Sequence, residues 1–243
     1  MKCVILCAGY ATRLYPLTLN TPKPLLDVRG KPVINYLIEG ILRIKDIDEI
    51  FVATNDKFYN NFVSWKDKFY PAQRIHIVND KTKNNEDRLG GLGDLKLVLD
   101  EERISDDLFV LAGDNFFNFD LNKFLGFFRE KKRNTIGLYN LKDISKAKEF
   151  GILELDRDNR IISFEEKPQK PKSTLISTAL YLFTKEELKK IQEYMKTSSP
   201  KEGPGYLIPY FLKSQDVYGY VFDGEWYDIG TKEIYEEVNR SRK

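Results

Sequence analysis

Residues 7–26 read CAGYATRLYPLTLNTPKPLL and follow directly on a short apolar run, Val4-Ile5-Leu6. The run reads as a buried strand, and what leaves it is stiff and irregular rather than helical. Ala8, Gly9 and Ala11 are small enough to let backbone amides approach a ligand, and exposed amides can cradle phosphate. Arg13 adds a planar donor fork suited to phosphate oxygens. Lys23 stands between Pro22 and Pro24, whose fixed φ angles narrow the positions its side chain can occupy. No Gly-Lys-Ser/Thr follows, so this is not a Walker loop, and the glycine spacing is wrong for a dinucleotide fingerprint. Taken by themselves, these residues fit a phosphate cradle and a proline-rich crossover with solvated charges equally well.

Working outward, apolar strand-like runs alternate with amphipathic stretches. A helix is expected over 32–45, with Pro32 in its first turn. A strand is expected over 49–53, a helix over 57–69 and a strand over 74–79. A helix over 94–102 and a strand over 108–112 follow. Such alternation predicts an α/β fold, a Rossmann-like three-layer sandwich around a central mixed, mostly parallel sheet. In open sheets of this kind ligands lie beyond the carboxyl ends of the strands, where the 7–26 loop begins. The second half predicts two strands around a turn at 156–160, a strand over 175–183 and a helix over 185–196. A loop is expected over 198–205, a hairpin across Asp223-Gly224, and a closing helix over 232–242. No internal repeat or low-complexity segment interrupts the chain, and one domain is expected over 1–243.

Composition removes several function classes. The chain of 243 residues carries 39 Lys plus Arg against 37 Asp plus Glu, a net charge of +2, so nothing favours nucleic acid or an anionic membrane. No stretch is long enough for a membrane span or signal peptide, and a cytoplasmic protein is expected. The two cysteines, Cys3 and Cys7, are too few for a zinc site and read as buried thiols on one strand face. The one histidine, His76, lies in Ile75-His76-Ile77-Val78 and reads as structural. Without paired histidines or an evident Ser-His or Cys-His nucleophile, any metal must be held by oxygen, which points to Mg²⁺.

Four motifs then occur in order. Residues 6–14 with Pro22-Lys23-Pro24-Leu25-Leu26 come first, then Leu111-Ala112-Gly113-Asp114-Asn115. Phe164-Glu165-Glu166-Lys167-Pro168 and Trp226-Tyr227-Asp228-Ile229-Gly230-Thr231 follow. Together they closely resemble the signature of the sugar-1-phosphate nucleotidyltransferases, glucose-1-phosphate thymidylyl- and uridylyltransferases among them. The resemblance covers nearly the whole chain. It implies an enzyme that joins a nucleoside triphosphate to a sugar 1-phosphate and releases pyrophosphate. It implies that Arg13 and Lys23 are catalytic and act on the triphosphate, that Ala8, Gly9, Asn79 and Gly90 bind the nucleotide, and that Asp114 and Asp228 hold Mg²⁺. Glu166, Lys167 and Gly151 would bind the sugar phosphate. The substrate phosphate is then the nucleophile, so the lack of a Ser, Cys or His nucleophile is expected. Outside that resemblance a cap is the alternative for Asp114, though the strand and glycine before it favour the metal, while Asp228 reads as a turn residue, Glu166-Lys167 as a solvated pair and Trp226 as packing. A runner-up is a non-catalytic nucleotide-sugar sensor of the same fold, for which two metal carboxylates would be superfluous.

The sequence departs from the family at identifiable places. Ala11 and Ala179 stand where glycine is usual, and an alanine is tolerable there only if φ need not be positive. Leu89-Gly90-Gly91-Leu92-Gly93 replaces the usual Leu-Gly-Thr-Ala-Gly, after a polar stretch over 80–88. The segment 201–205 lacks the acidic pattern of the thymidylyltransferases. Asn79 takes the strand-end place of the base-reading residue and could pair with a pyrimidine edge, which favours dTTP or UTP. No hexapeptide repeats are present, so no acyltransferase domain is expected, and a homo-oligomer is left open.

Overall fold

The first strand is built as its alternation requires. In the computed structural model, which describes residues 1–197 and 203–240, β1 spans Lys2–Leu6. Cys3, Ile5 and Cys7 face one hydrophobic cluster, and Val4 faces the other. A strand buried on both faces must be central and covered by helices on each side. Both cysteines are free, buried thiols.

After β1 the chain forms a small ribbon, β2 (Asp27–Val28) and β3 (Lys31–Pro32), and then α1 (Val33–Ile41). Pro32 is the N-cap of α1 rather than its first turn. There follow β4 (Glu49–Thr54), α2 (Tyr59–Phe69), β5 (Ile75–Asn79), α3 (Gly91–Glu101) and β6 (Leu108–Ala112). Next come β7 (Asn115–Phe117), α4 (Leu121–Lys131), β8 (Thr135–Asn140) and α5 (Ile144–Ala147). The second half adds β9 (Gly151–Leu155), β10 (Ile161–Glu166), β11 (Leu175–Phe183), α6 (Leu188–Thr197) and α7 (Leu207–Leu212). β12 (Tyr218–Phe222), β13 (Trp226–Asp228) and α8 (Lys232–Arg240) close the described chain.

Nine strands form the central sheet, along β10-β9-β11-β6-β1-β4-β5 with β8 and β12 branching from β11. The pairings run β5, β4, β1, β6, β8, β9 and β12 in one direction and β10 and β11 against them. The sheet is therefore mixed and mostly parallel, with α1, α2 and α4 on one face and α3, α6 and α7 on the other. A smaller cluster, Val28, Val33, Phe116, Ile229 and Val238, seats α8. No helix among the described residues is long and apolar enough to cross a membrane.

Three expectations need correction. The turn at Asp223-Gly224 exists, with Gly224 at φ 120°, but it joins no hairpin. β12 pairs in parallel with β8, while β13 pairs with β7 in a separate two-stranded sheet. Asn118 holds this crossing, accepting from Glu225 N and donating its own N–H to Glu225 O. His76 is not enclosed in its strand. β5 is an edge, and the imidazole lies exposed, stacked on Phe51 at 5.1 Å between ring centres. α3 begins at Gly91, earlier than expected, because Gly90 turns the chain at φ 80°. The part of the expected loop at 198–202 lies outside the described residues, as does the end of the last helix.

Ala11 and Ala179 both adopt positive φ, 48° and 56°. The backbone at these two positions thus demands what glycine would supply freely. An L-residue in this region is strained by about 1–2 kcal/mol, against which glycine loses about 0.5–1 kcal/mol of chain entropy. Ala11→Gly should raise stability by about 0.5–1 kcal/mol in urea unfolding. Ala179 packs against the core, so Ala179→Gly loses a methyl contact worth about 0.8 kcal/mol and should be close to neutral.

The core also encloses two carboxyls. Asp80, just past β5, and Asp94, in the first turn of α3, are both buried, and the Asp80 charge acts on the Asp94 carboxyl. Each has an oxygen that no donor of the protein satisfies, and neighbouring carboxyls can satisfy one another only with a proton between them. Burial, with the Asp80 charge second, pushes Asp94 up to about 8. The native state therefore keeps a proton that the unfolded chain releases near pH ~4. Because N binds the extra proton, stability from this pair must fall as pH rises from about 4 to about 8 and level off above. In the ligand-free protein, Asp94→Asn should flatten the decline between pH 5 and 8 by up to one proton, roughly 1.4 kcal/mol per pH unit. Parallel slopes for wild type and variant would show that no proton is held there.

Candidate active site

The 7–26 loop is pinned before it turns. Cys7 N donates to Ala53 O, and the buried Asn55 amide donates to Ala8 O at 2.8 Å. Ala11 then reverses the chain, and Thr18 Oγ1 ties back to Ala11 O at 2.8 Å. Two 3₁₀ turns follow, Thr12–Leu14 and Lys23–Leu25, and they carry Arg13 and Lys23. Pro22 caps the second turn at φ −65°, and Pro24 is buried beneath it. Gly9, Arg13, Lys23 and Asp114 line one cavity of about 420 Å³ with Asn85 and Arg88. A larger cleft of about 770 Å³ on another face, between Asp107, Arg133 and Lys185, contains none of the expected site residues.

Asp114 reaches the cavity because β6 ends at Ala112 and Gly113 allows a tight exit. A Cβ on Gly113 would lie 2.3 Å from Cys7 Sγ, a distance no side chain can occupy. Asp228 arrives from the far end of the chain. Its strand pairs with β7, placing Asp228 opposite Asn115, and Ile229 N donates to Asp114 O at 3.2 Å. Lys23 Nζ lies 2.5 Å from Asp114 Oδ2 and 3.8 Å from Asp228 Oδ1. Burial pulls the Lys23 ammonium down, but Asp114 and Asp228 together outweigh it and raise it. Burial, then the Asp114 charge, pushes Asp228 up to about 6.

Asp228 Oδ1 has no hydrogen-bond donor. Two carboxylates, one with a free lone pair, are the donor set Mg²⁺ accepts when phosphates and water complete its shell. Among the described residues no cluster of three or more His, Cys, Asp and Glu exists that could hold a metal unaided.

Gly151, Glu166 and Lys167 form a second group. Gly151 pairs with Glu166 across β9 and β10, and a Cβ there would meet Glu166 Oε2 at 3.0 Å and Phe164 Cε2 at 2.8 Å. Burial raises the Glu166 carboxyl. Lys167 has a positive φ of 45°, fixed by its N–H donating to Phe150 O, and its ammonium is largely exposed. The Lys167 charge acts weakly on Asp228, lowering its carboxyl against the larger effects of burial and Asp114. The buried Tyr181, its hydroxyl 3.4 Å from Ser177 Oγ, lies close enough to touch a Cβ on Gly205, as does Glu166.

Of the expected nucleotide-binding residues only Gly9 lines the cavity; Ala8, Asn79 and Gly90 do not, and Asp228 reaches it only through Lys23. Asn79 ends β5, outside the cavity lining, donates to Asp56 Oδ1 and accepts from Lys81 N, both at 2.8 Å. Gly90 is the N-cap of α3. Trp226 packs between Phe150 and Tyr139. Sequence reasoning missed Tyr10, Thr12, Asn85 and Arg88, all on the cavity wall. Only the polar composition of 80–88 hinted at the last two.

The chain is similar to known proteins over nearly its whole length. It is 31% identical to the bifunctional protein GlmU of Methanocaldococcus jannaschii, over 99% of this chain and 54% of that protein. It is 30% identical to the glucose-1-phosphate adenylyltransferase of Fervidobacterium nodosum, over 97% and 60%. The chain thus spans between half and two thirds of the length of these curated relatives. A crystal structure of a protein from Bacillus anthracis assigned as a glucose-1-phosphate thymidylyltransferase, in complex with sucrose, superposes with a TM-score of 0.86. That match has 26% identity and covers 99% of this chain and 94% of the other. The model of the nucleotidyl transferase family matches residues 2–243, and the chain belongs to that family.

Proposed function

We propose that this protein transfers a nucleotidyl group from a nucleoside triphosphate to a sugar 1-phosphate, giving a nucleotide sugar and pyrophosphate. The observation that carries the reading is Lys23 Nζ, held against Asp114 and Asp228 at the wall of the cavity that Gly9 and Arg13 share. Arg13 and Lys23 bind the triphosphate and neutralise the charge that collects on the departing pyrophosphate. Asp114 and Asp228 hold Mg²⁺, which when bound supplies further neutralisation of the phosphates. A phosphate oxygen of the sugar phosphate forms the new bond to the α-phosphorus, and the bond to the β-phosphate bridging oxygen breaks. No side chain is needed as nucleophile, only alignment. Glu166 accepts hydrogen bonds from sugar hydroxyls, and Lys167 pairs with the sugar's phosphate. The base is read as a pyrimidine, dTTP or UTP. The Asn79 amide spends one N–H and one lone pair on Asp56 and Lys81, which leaves one of each for a pyrimidine edge.

The reading is tested by measuring pyrophosphate release over a panel of triphosphates and sugar phosphates. Turnover should stop in excess chelator. Asp114→Asn and Asp228→Asn should each lose roughly 100-fold or more in kcat while remaining folded. Undiminished turnover in chelator would sink the metal assignment.

Lys167→Met should raise the KM for the sugar phosphate by roughly 10- to 150-fold, since a charge-assisted contact is worth ~1.5–3 kcal/mol. The KM for the triphosphate should change little. An unaltered sugar-phosphate KM would remove Lys167 from the site.

A further inference from the structure

The segment 80–90, where the sequence departs furthest from its family, is an ordered strap. Asp80 N donates to Thr54 O, and Asp56 N to Thr82 O, both extending the edge of the sheet. Asp80 Oδ1 accepts from both Thr82 N and Thr82 Oγ1, and that hydroxyl lies 3.0 Å from Tyr10 OH. The strap is thereby tied to the phosphate loop across 72 residues of sequence. Asn84 Oδ1 then accepts from Glu86 N and Asp87 N, and Asn84 Nδ2 donates to Asp87 Oδ2, closing a tight turn. The turn delivers Arg88 to the wall of the cavity that Arg13 and Lys23 line.

We propose that Arg88 is a third cation on the triphosphate, gripping its phosphate oxygens from the wall of the cavity that Arg13 and Lys23 share. This rests on the reading of the cavity as the triphosphate site. Arg88 Nη1 donates to Asn85 O at 2.8 Å, which orients the guanidinium without consuming its charge. No carboxylate among the described residues forms an ion pair with it, so most of its donor fork is open. The cavity wall carries Arg13, Lys23 and Arg88 against the single carboxylate of Asp114, and Asp114 is already in contact with Lys23. Such an excess of positive charge in a concave site fits a polyanion. Phosphate rather than base is the partner because Arg88 shares its cavity with the phosphate-side residues, whereas Asn79 stands outside it.

The test is calorimetric binding of inorganic tripolyphosphate and of dTTP, UTP, CTP, GTP and ATP, in magnesium buffer, to wild type, Arg88→Gln and Arg88→Lys. Arg88→Gln should weaken tripolyphosphate and all five nucleotides alike, by about 10- to 100-fold, with their ranking unchanged. Arg88→Lys should recover part of the loss, since it keeps the charge but not the fork. The KM for the sugar phosphate should stay as in wild type. Equal affinity in wild type and Arg88→Gln overturns the proposal alone. So does a loss confined to certain bases with tripolyphosphate unaffected, which would make Arg88 a base reader. A wild type that binds no triphosphate overturns the reading of the cavity itself, and this proposal with it.

Discussion

The Lys23 ammonium is the interaction on which the site depends. Asp114, in the turn after β6, and Asp228, at the end of β13, lie more than a hundred residues apart in sequence, and their charges repel; burial and that repulsion push Asp228 up to about 6. Lys23 Nζ sits against both and offsets it. A flexible backbone would lose much conformational entropy in holding it there. Pro22 and Pro24 remove part of that cost beforehand by fixing the backbone that carries it. The stiffness of the 7–26 loop is thus the means by which one cation is kept between two anions.

Everything around that contact is arranged for close approach. Gly113 lets β6 end against Cys7, and Gly151 lets Glu166 and Phe164 fold over β9. Ala11 shows the same demand met at a cost. Its left-handed backbone is maintained by Thr18 and Leu14, which donate to its carbonyl from later in the loop. A strained residue persists only where the surrounding contacts over-determine it, and here they belong to the segment that positions Arg13.

The parallel strands of the first half were legible because each is built on a short, mostly apolar run. β1, β4, β5 and β6 need no knowledge of their partners to be recognised. α4 and β8 went unassigned, although Asp120 caps α4 with its side chain, because neither lies in a recognised motif. The Asp223-Gly224 turn is a local signal, but whether two flanking strands pair with each other is a non-local fact. β12 finds β8 and β13 finds β7, and both partners lay in the unread stretch. The site residues within motifs were named from sequence, and Arg13, Lys23 and Asp114 share one cavity. Asn85 and Arg88 could not be named, because a hydroxyl contact between Tyr10 and Thr82 fixes their place and no periodicity encodes it.

The Asp80–Asp94 pair follows from the same logic of anchoring. A strap that must deliver Arg88 needs a fixed root at each end, and the sheet edge secures only the first. Asp94 supplies the second from the opening turn of α3, where its carboxyl meets that of Asp80. Two apolar residues could fill the same space, but they could not also accept from the Thr82 amide and hydroxyl, as Asp80 does. A buried acid pair that shares a proton satisfies the strap's first turn and joins it to the helix in one contact. It does so with one negative charge rather than two beside the 7–26 loop, where two ionised carboxylates would repel an incoming triphosphate more strongly. Retaining the proton therefore serves the strap and the charge of the adjoining cavity together.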